Sequence, residues 1–286
     1  MEHPPPVGPW DCTAEQYHAD DEWIGSSMVK RFIERGPTHY HRLYVSHEQP
    51  KPVPISDMIF GTGFHLAALQ PELFETQVVR GLEGLNLKSS KDRAKRDQFA
   101  ADNHGKIILP PEEYDSIEPM LQATLACPGI AELLHQGGRI EQGYRWINEE
   151  SGVPCKALID ILNPGEETPH QIVDLKTSSD PQLEAFSRDA YNYGYHISGV
   201  HYCEAIVECL GEPEPEYLLV VVDKRPPYTE PAIYRFGPRE WGLGRHRRQL
   251  ALNQLGVCYE YQEWTPDHYG EVREIAFPGW AFHVRE

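Results

Sequence analysis

The segment IVDLKTSSD, residues 172–180, places Asp174 two positions before Lys176 at the end of an apolar run. In an extended strand alternate side chains share a face, so Asp174 and Lys176 point one way and Val173 and Leu175 the other. A carboxylate beside an ammonium on such a strand has two readings. One is a salt-bridged pair at a strand end, since burial of either charge is costly unless it is paired or holds a metal. The other is a reaction centre. Asp160, in KALIDIL, lies one expected strand earlier. If the two strands are neighbours, Asp160 and Asp174 converge at one end of a sheet. Two carboxylates with an adjacent lysine and no thiol favour a hard cation, Mg2+ with Mn2+ as substitute. Such an ion polarises a phosphoryl oxygen and acidifies bound water, and the lysine can orient that water or offset charge in the transition state. The spacing is coherent with phosphodiester hydrolysis.

The elements that must position these residues can be read outward from them. YRWI and CKALIDIL flank NEESG, a hairpin-turn composition, and NPGEETPH turns the chain into IVDLKT. The pattern predicts a three-strand meander. A long helix is expected next, across DPQLEAFSRDAYNYGYHISGVHYCEAIVECL, then a buried strand EYLLVVVD and a helix from about Pro238 to Gly256. Upstream, Ser26-Ser27 can cap a helix that ends at Gly36-Pro37, and residues 112–136 suit a helix pair. A further helix from about Ser56 contains Gly61-Thr62-Gly63, which suggests a close approach to its backbone. His65 follows directly. Residues 1–20 read as a flexible arm. Residues 21–286 read as one domain, with a helical part to about 138 and a core over about 139–260. The fold class expected is α/β.

Four stretches in order carry a resemblance. FGTGFHLAALQPELF, EQGYRWINEESGVPCKALIDIL, DLKT and YNYGYHISGVHY resemble motifs of the PD-(D/E)XK nuclease superfamily, and within it the exodeoxyribonuclease VIII (RecE-type) nuclease domain. The similarity spans roughly residues 22 to 225. It implies a restriction-endonuclease-like core, a central mixed sheet flanked by helices, with a helical N-terminal addition. It implies His65, Asp160, Asp174 and the backbone carbonyl of Leu175 as metal ligands, Lys176 as the catalytic lysine and Glu141 as an acidic helper. Tyr195, His196 and Tyr202 would lie on the helix flanking the site, with Tyr195 and Tyr202 among the residues that contact DNA. Ser198 stands where the family pattern usually has Gln, a residue that would contact DNA or position the lysine. A hydroxyl reaches less far and offers different donors. Each residue also has a plainer reading. His65 could be a satisfied buried imidazole, Glu141 a surface residue at a strand start, and the tyrosines packing groups.

The formal charge of −18 excludes binding to nucleic acid by the whole surface. DNA would need a local basic track. LKSSKDRAKRDQF supplies Lys88, Lys91, Arg93, Lys95 and Arg96, which could equally form a solvated helix face; Arg239, Arg245, Arg247 and Arg248 form a second cluster. The six cysteines include no CxxC pair, so structural zinc or iron–sulfur binding has little support. No apolar run is long enough to span a bilayer and no signal pattern opens the chain, so the expectation is a cytoplasmic protein with no membrane partner. The resemblance implies an exonuclease acting on double-stranded DNA ends, 5′ to 3′, in phage-type recombination or repair. It further implies a ring-forming homo-oligomer and a single-strand annealing recombinase as partner. An endonuclease or repair nuclease of the same superfamily, and a non-catalytic DNA-binding scaffold, are the alternatives.

Overall fold

The structure, a computed structural model, describes residues 7–86, 88–165, 169–266 and 270–276. The segment expected as a loose arm carries β1 (Gly8–Trp10) and α1 (Ala14–Ala19). β1 pairs antiparallel with residues 143–145. α1 starts with a capping box: the Thr13 hydroxyl accepts from the Gln16 N–H at 3.1 Å, and Gln16 Oε1 accepts from the Thr13 N–H at 2.9 Å. Residues 1–6 of that arm lie outside the described residues.

α2 (Ser26–Tyr44) begins with Gly25, not a serine, at its cap. A Cβ at Gly25 would stand 2.8 Å from the Tyr17 hydroxyl, and Ser26 instead donates to the Tyr202 hydroxyl at 3.4 Å. Gly36, at φ +77°, interrupts the helix as Gly-Pro suggests. The chain then resumes helix, because Pro37 suits a first turn and Tyr40 and Leu43 bury against the core. α3 (Ser56–Leu69), α4 (Pro71–Gln77), β2 (Val78–Arg80), α5 (Ser90–Asp102), β3 (Ile107–Leu109), α6 (Pro111–Leu125) and α7 (Pro128–His135) follow. β2 and β3 form a small parallel sheet. The close approach expected at the α3 glycines is a side chain of β3: a Cβ at Gly63 would lie 2.9 Å from Leu109 Cδ1.

β4 (Arg139–Ile147), β5 (Pro154–Asn163) and β6 (Gln171–Ser178) form the expected antiparallel meander. The helical stretch after it is two helices, α8 (Leu183–Asn192) and α9 (Tyr195–Leu210), divided at Gly194, whose φ is +65°. β7 (Glu216–Asp223) lies parallel to β6, so α8 and α9 form the crossover that parallel pairing requires. β8 (Ala232–Tyr234) and α10 (Pro238–Tyr261) close the order. The main sheet runs β1-β4-β5-β6-β7-β8. Helices cover both faces. Met28, Val29 and Phe32 of α2, Ile197 and Ile206 of α9, and Leu252 and Leu255 of α10 share one core. Phe60 and Phe64 of α3, Ile117 and Met120 of α6, and Val173, Leu175 and Val220 of the sheet share the other. The result is the expected α/β architecture with a central mixed sheet.

Two buried side chains anchor the helices that flank the sheet opening. Phe64, fully buried, fixes the α3 turn that carries His65; burial of such a side chain contributes about 1.5–3 kcal/mol. Arg248 of α10, also buried, donates to Glu204 and His201 of α9. Glu204 accepts further from Trp146 at 2.9 Å and Asn148 at 2.8 Å. This network holds α9 in one position over the sheet.

Candidate active site

The site begins where the sheet parts. The β5–β6 ladder pairs Asn163 with Gln171, Leu162 with Ile172 and Ile161 with Val173, and stops there. The next pair in register would be Asp160 and Asp174. The Leu175 N–H, free of the ladder, donates to Asp160 Oδ2 at 2.8 Å. Across Asp160 the strand also changes sides: Ile159 packs in the α9 core and Ile161 in the α3 core. On the other flank Glu141 falls opposite Asp160, between the pairs Ile140–Ile161 and Gln142–Ile159. Its φ of +50° is unusual for a non-glycine residue inside a strand. Such a conformation costs on the order of 1–3 kcal/mol and persists only where its surroundings enforce it. Here it accompanies a carboxylate turned toward a second carboxylate.

His65, Glu141 and Asp160 each present a ligand atom, all within 4.8 Å of one another. His65 Nε2 lies 2.7 Å from the Leu175 carbonyl oxygen. A carbonyl only accepts, so Nε2 carries the proton, and Nδ1 faces Asp160 Oδ2 at 3.7 Å. Burial, and then Asp160, push Glu141 up to about 8. Burial likewise pushes Asp160 up to about 6, against the pull of His65. Two crowded carboxyls of raised proton affinity, an imidazole nitrogen facing them and no thiolate form a donor set that fits a hard divalent cation.

Asp174 and Lys176 sit beside this cluster on the face opposite Val173 and Leu175, as alternation requires. Asp174 is only 2 % exposed. One of its oxygens accepts from Lys176 and the other from the Tyr217 hydroxyl. Burial alone would raise its pKa, but the ammonium and the two hydrogen bonds hold it below the usual carboxylate range. Burial would lower Lys176, yet Asp174 and Asp160 outweigh it and raise the lysine. Asp174, a metal ligand by resemblance, accepts here from the lysine and from Tyr217, and Glu141 lies beside His65 and Asp160. The Lys176 ammonium also donates to the Leu175 carbonyl at 3.2 Å and lies 5.4 Å from the centre of the Tyr195 ring.

The remaining residues divide. Tyr195 and Tyr202 pack against the α9 core, and the Tyr202 ring lies 6.5 Å from that of Tyr217. The Ser198 hydroxyl accepts from Lys30 at 3.0 Å. Lys88, Lys91, Arg93, Lys95 and Arg96 lie on or just before α5, which buries none of its residues. Lys95 pairs with Asp92 and Arg96 with Asp97. Among the described residues, no cation of this cluster forms an ion pair or hydrogen bond with the site.

Sequence reasoning missed Tyr217 and Lys30. Tyr217 could have been found from the parallel register, which sets Leu219 beside Asp174 and Tyr217 on the same face two residues away. Lys30 carries no such signal, because it arrives from a helix more than a hundred residues upstream.

No curated protein matches the chain. Among solved structures, one titled "Putative exonuclease", from Eubacterium rectale, aligns over 96 % of this chain and 99 % of its own at a TM-score of 0.58 and 13 % identity. At that identity the likeness concerns the fold. A second, titled SSO0001, covers 82 % of this chain and 84 % of its own at 11 % identity, with a TM-score of 0.27 that carries no argument. The family model of the PDDEXK-like domain of unknown function DUF3799 matches residues 25–275 and so takes in every residue of the site. The chain belongs to this PDDEXK-like family.

Proposed function

We propose that the protein is a metal-dependent deoxyribonuclease that hydrolyses phosphodiester bonds at double-stranded DNA ends. The observation that carries this reading is the His65–Glu141–Asp160 cluster lying against the Lys176–Asp174 pair at the opening of the sheet. His65, Glu141 and Asp160 would hold the cation, Mg2+ or Mn2+. When bound, it supplies Lewis-acid polarisation of a phosphoryl oxygen and acidification of water.

The chain's own groups do the rest. Lys176 has three N–H donors. One goes to Asp174 and one to the Leu175 carbonyl, which leaves a third for a phosphoryl oxygen or for the attacking water. Asp174, with Tyr217 behind it, keeps that ammonium charged and aimed. Tyr195 covers the lysine and limits its contact with solvent, which strengthens its field at the reacting group. The PDDEXK-like family and the exonuclease title of the Eubacterium rectale structure support this reading.

The preference for ends, 5′ to 3′ polarity, a ring-shaped homo-oligomer, a recombinase partner and a cytoplasmic setting in phage-type recombination or repair belong to the same proposal. They rest on the motif resemblance. Among the described residues no helix is long and apolar enough to cross a membrane. The test is a magnesium titration with end-labelled duplex and closed circular DNA in parallel. Loss of label from linear duplex alone is expected. Nicking of circles would instead assign an endonuclease, and no cleavage of either would assign a DNA-binding scaffold.

A further inference from the structure

Lys30 reaches the site from α2. Its stem lies along the α8–α9 turn, where a Cβ at Gly194 would stand 2.9 Å from Lys30 Cδ. Gly194 also holds φ +65°, so the turn leaves room for the lysine in a conformation that suits glycine. The ammonium donates to Ser198 at 3.0 Å. Among the described residues it has no other hydrogen-bond partner, although it carries three donors. Asp174 is close enough to attract it, but both Asp174 oxygens are already taken, by Lys176 and Tyr217. Burial, and then repulsion from Lys176, push its pKa down to about 8.

Lys30 is half-buried, and an ammonium drawn partly out of water against one neutral partner costs free energy that a carboxylate or several carbonyls would offset. Lys156 of β5 shows that alternative in the same protein: its ammonium donates to the carbonyls of Tyr17 and Asp20. Lys30 has no such cage. It is held beside the reacting groups by a hydroxyl, with two donors left over. An anion arriving at the site would satisfy them.

We infer that Lys30 binds a phosphate of the DNA strand next to the one being cut. Ser198 sets its position from α9. The inference rests on the nuclease reading for its substrate, and binding without cleavage tests it separately.

The test compares wild type with Lys30→Met, and with Lys30→Gln as a second neutral form, each checked for native near-ultraviolet circular dichroism. Duplex binding is measured across a salt series in EDTA, where cleavage is suppressed. The logarithmic salt slope should fall by about 0.9 in the neutral variants, the value for one phosphate fewer neutralised. In cleavage assays, kcat/KM should drop about 10- to 100-fold, the size of one charge-assisted hydrogen bond, with the loss carried by KM. Lys30→Arg should restore most of both. A folded neutral variant with the wild-type slope and wild-type KM would overturn the inference and leave Lys30 as a space-filling group. If wild type binds duplex without cutting it in any metal, the nuclease reading fails while the salt slopes still decide the role of Lys30. If wild type does not bind duplex at all, the inference fails with it.

Discussion

Replacing Glu141 with Gln isolates the crowding of carboxylates at the sheet opening. Glu141 is pushed up to about 8 from an ordinary 4.5, first by burial and then by Asp160. A carboxyl raised in the folded state binds its proton more tightly there than in the unfolded chain. Its contribution to stability is therefore complete below about pH 4.5 and is lost as pH rises through about 8. Between pH 6 and pH 8 the loss amounts to about 2 kcal/mol, since each pH unit in that window is worth up to 1.36 kcal/mol until the folded value is reached. For a chain of this size that corresponds to roughly 5 °C in Tm. Glu141→Gln removes the titration and preserves the shape of the neutral form. In EDTA the variant should gain on wild type by that amount as pH moves from 6 to 8. Other groups titrating in this window, Asp160 among them, largely cancel in the difference. The assay is differential scanning calorimetry of both proteins at matched ionic strength across that range. Saturating Mn2+ should reverse the order at pH 8, because a cation between the carboxylates stabilises the charged form that Gln cannot adopt. A Tm difference that stays constant from pH 6 to 8 would refute the crowding, and with it the assignment of Glu141 to the cluster.

The other substitutions draw on the same geometry. Asp174→Asn should reduce cleavage by roughly a hundredfold or more, because the ammonium of Lys176 loses its buried counter-charge. It should also cost about 1–3 kcal/mol in urea unfolding, a buried-pair loss discounted for the partial exposure of Lys176. Lys176→Ala should lower turnover by roughly a hundredfold or more. Titration calorimetry should show metal affinity retained, since the lysine is not among the three clustered ligands. Replacing Lys91, Arg93, Lys95 and Arg96 together with Ser should flatten the salt dependence of duplex binding by about one slope unit for each phosphate no longer neutralised. Equal slopes for the quadruple variant and wild type would make α5 a solvated helix face.

The meander, and the face on which its candidate site residues lie, were legible because period-2 patterning is a local signal. Val173 and Leu175 had to be buried together, which fixed the face of Asp174 and Lys176 before any neighbour was known. Helix breaks were harder. Gly36-Pro37 announced a stop, but only tertiary burial of Tyr40 and Leu43 explains why helix resumes. The single helix expected after β6 is cut at Gly194, whose φ of +65° suits glycine; the Lys30 stem that packs against it comes from α2, which no pattern within that stretch could reveal. The N-terminal strand was hidden for a similar reason: three residues rich in Gly and Pro have little propensity of their own, and β1 exists because the edge of β4 is available to pair with it. The roles of Asp174 and Glu141 depend on which side-chain atoms meet. Spacing places a carboxylate on a face but does not choose between a cation and an ammonium as its partner.

That choice bears on how so acidic a chain would approach DNA. With a formal charge of −18, the long-range field repels a polyanion, and exposed cations such as those of α5 are already partly offset by Asp92 and Asp97. At the opening of the sheet the balance differs. Lys176 donates to Asp174, and Lys30 is attracted by the same carboxylate, whose single negative charge is committed to Lys176. Enclosure lowers the effective dielectric, so a cation there acts more strongly on a phosphate than one on the surface. On the proposed reading, this charge distribution would discourage DNA from lying along the outside and would favour a strand that reaches the opening of the sheet. A surface that repels duplex, with cations confined to the opening of the sheet, would then favour ends over internal positions without any base contact.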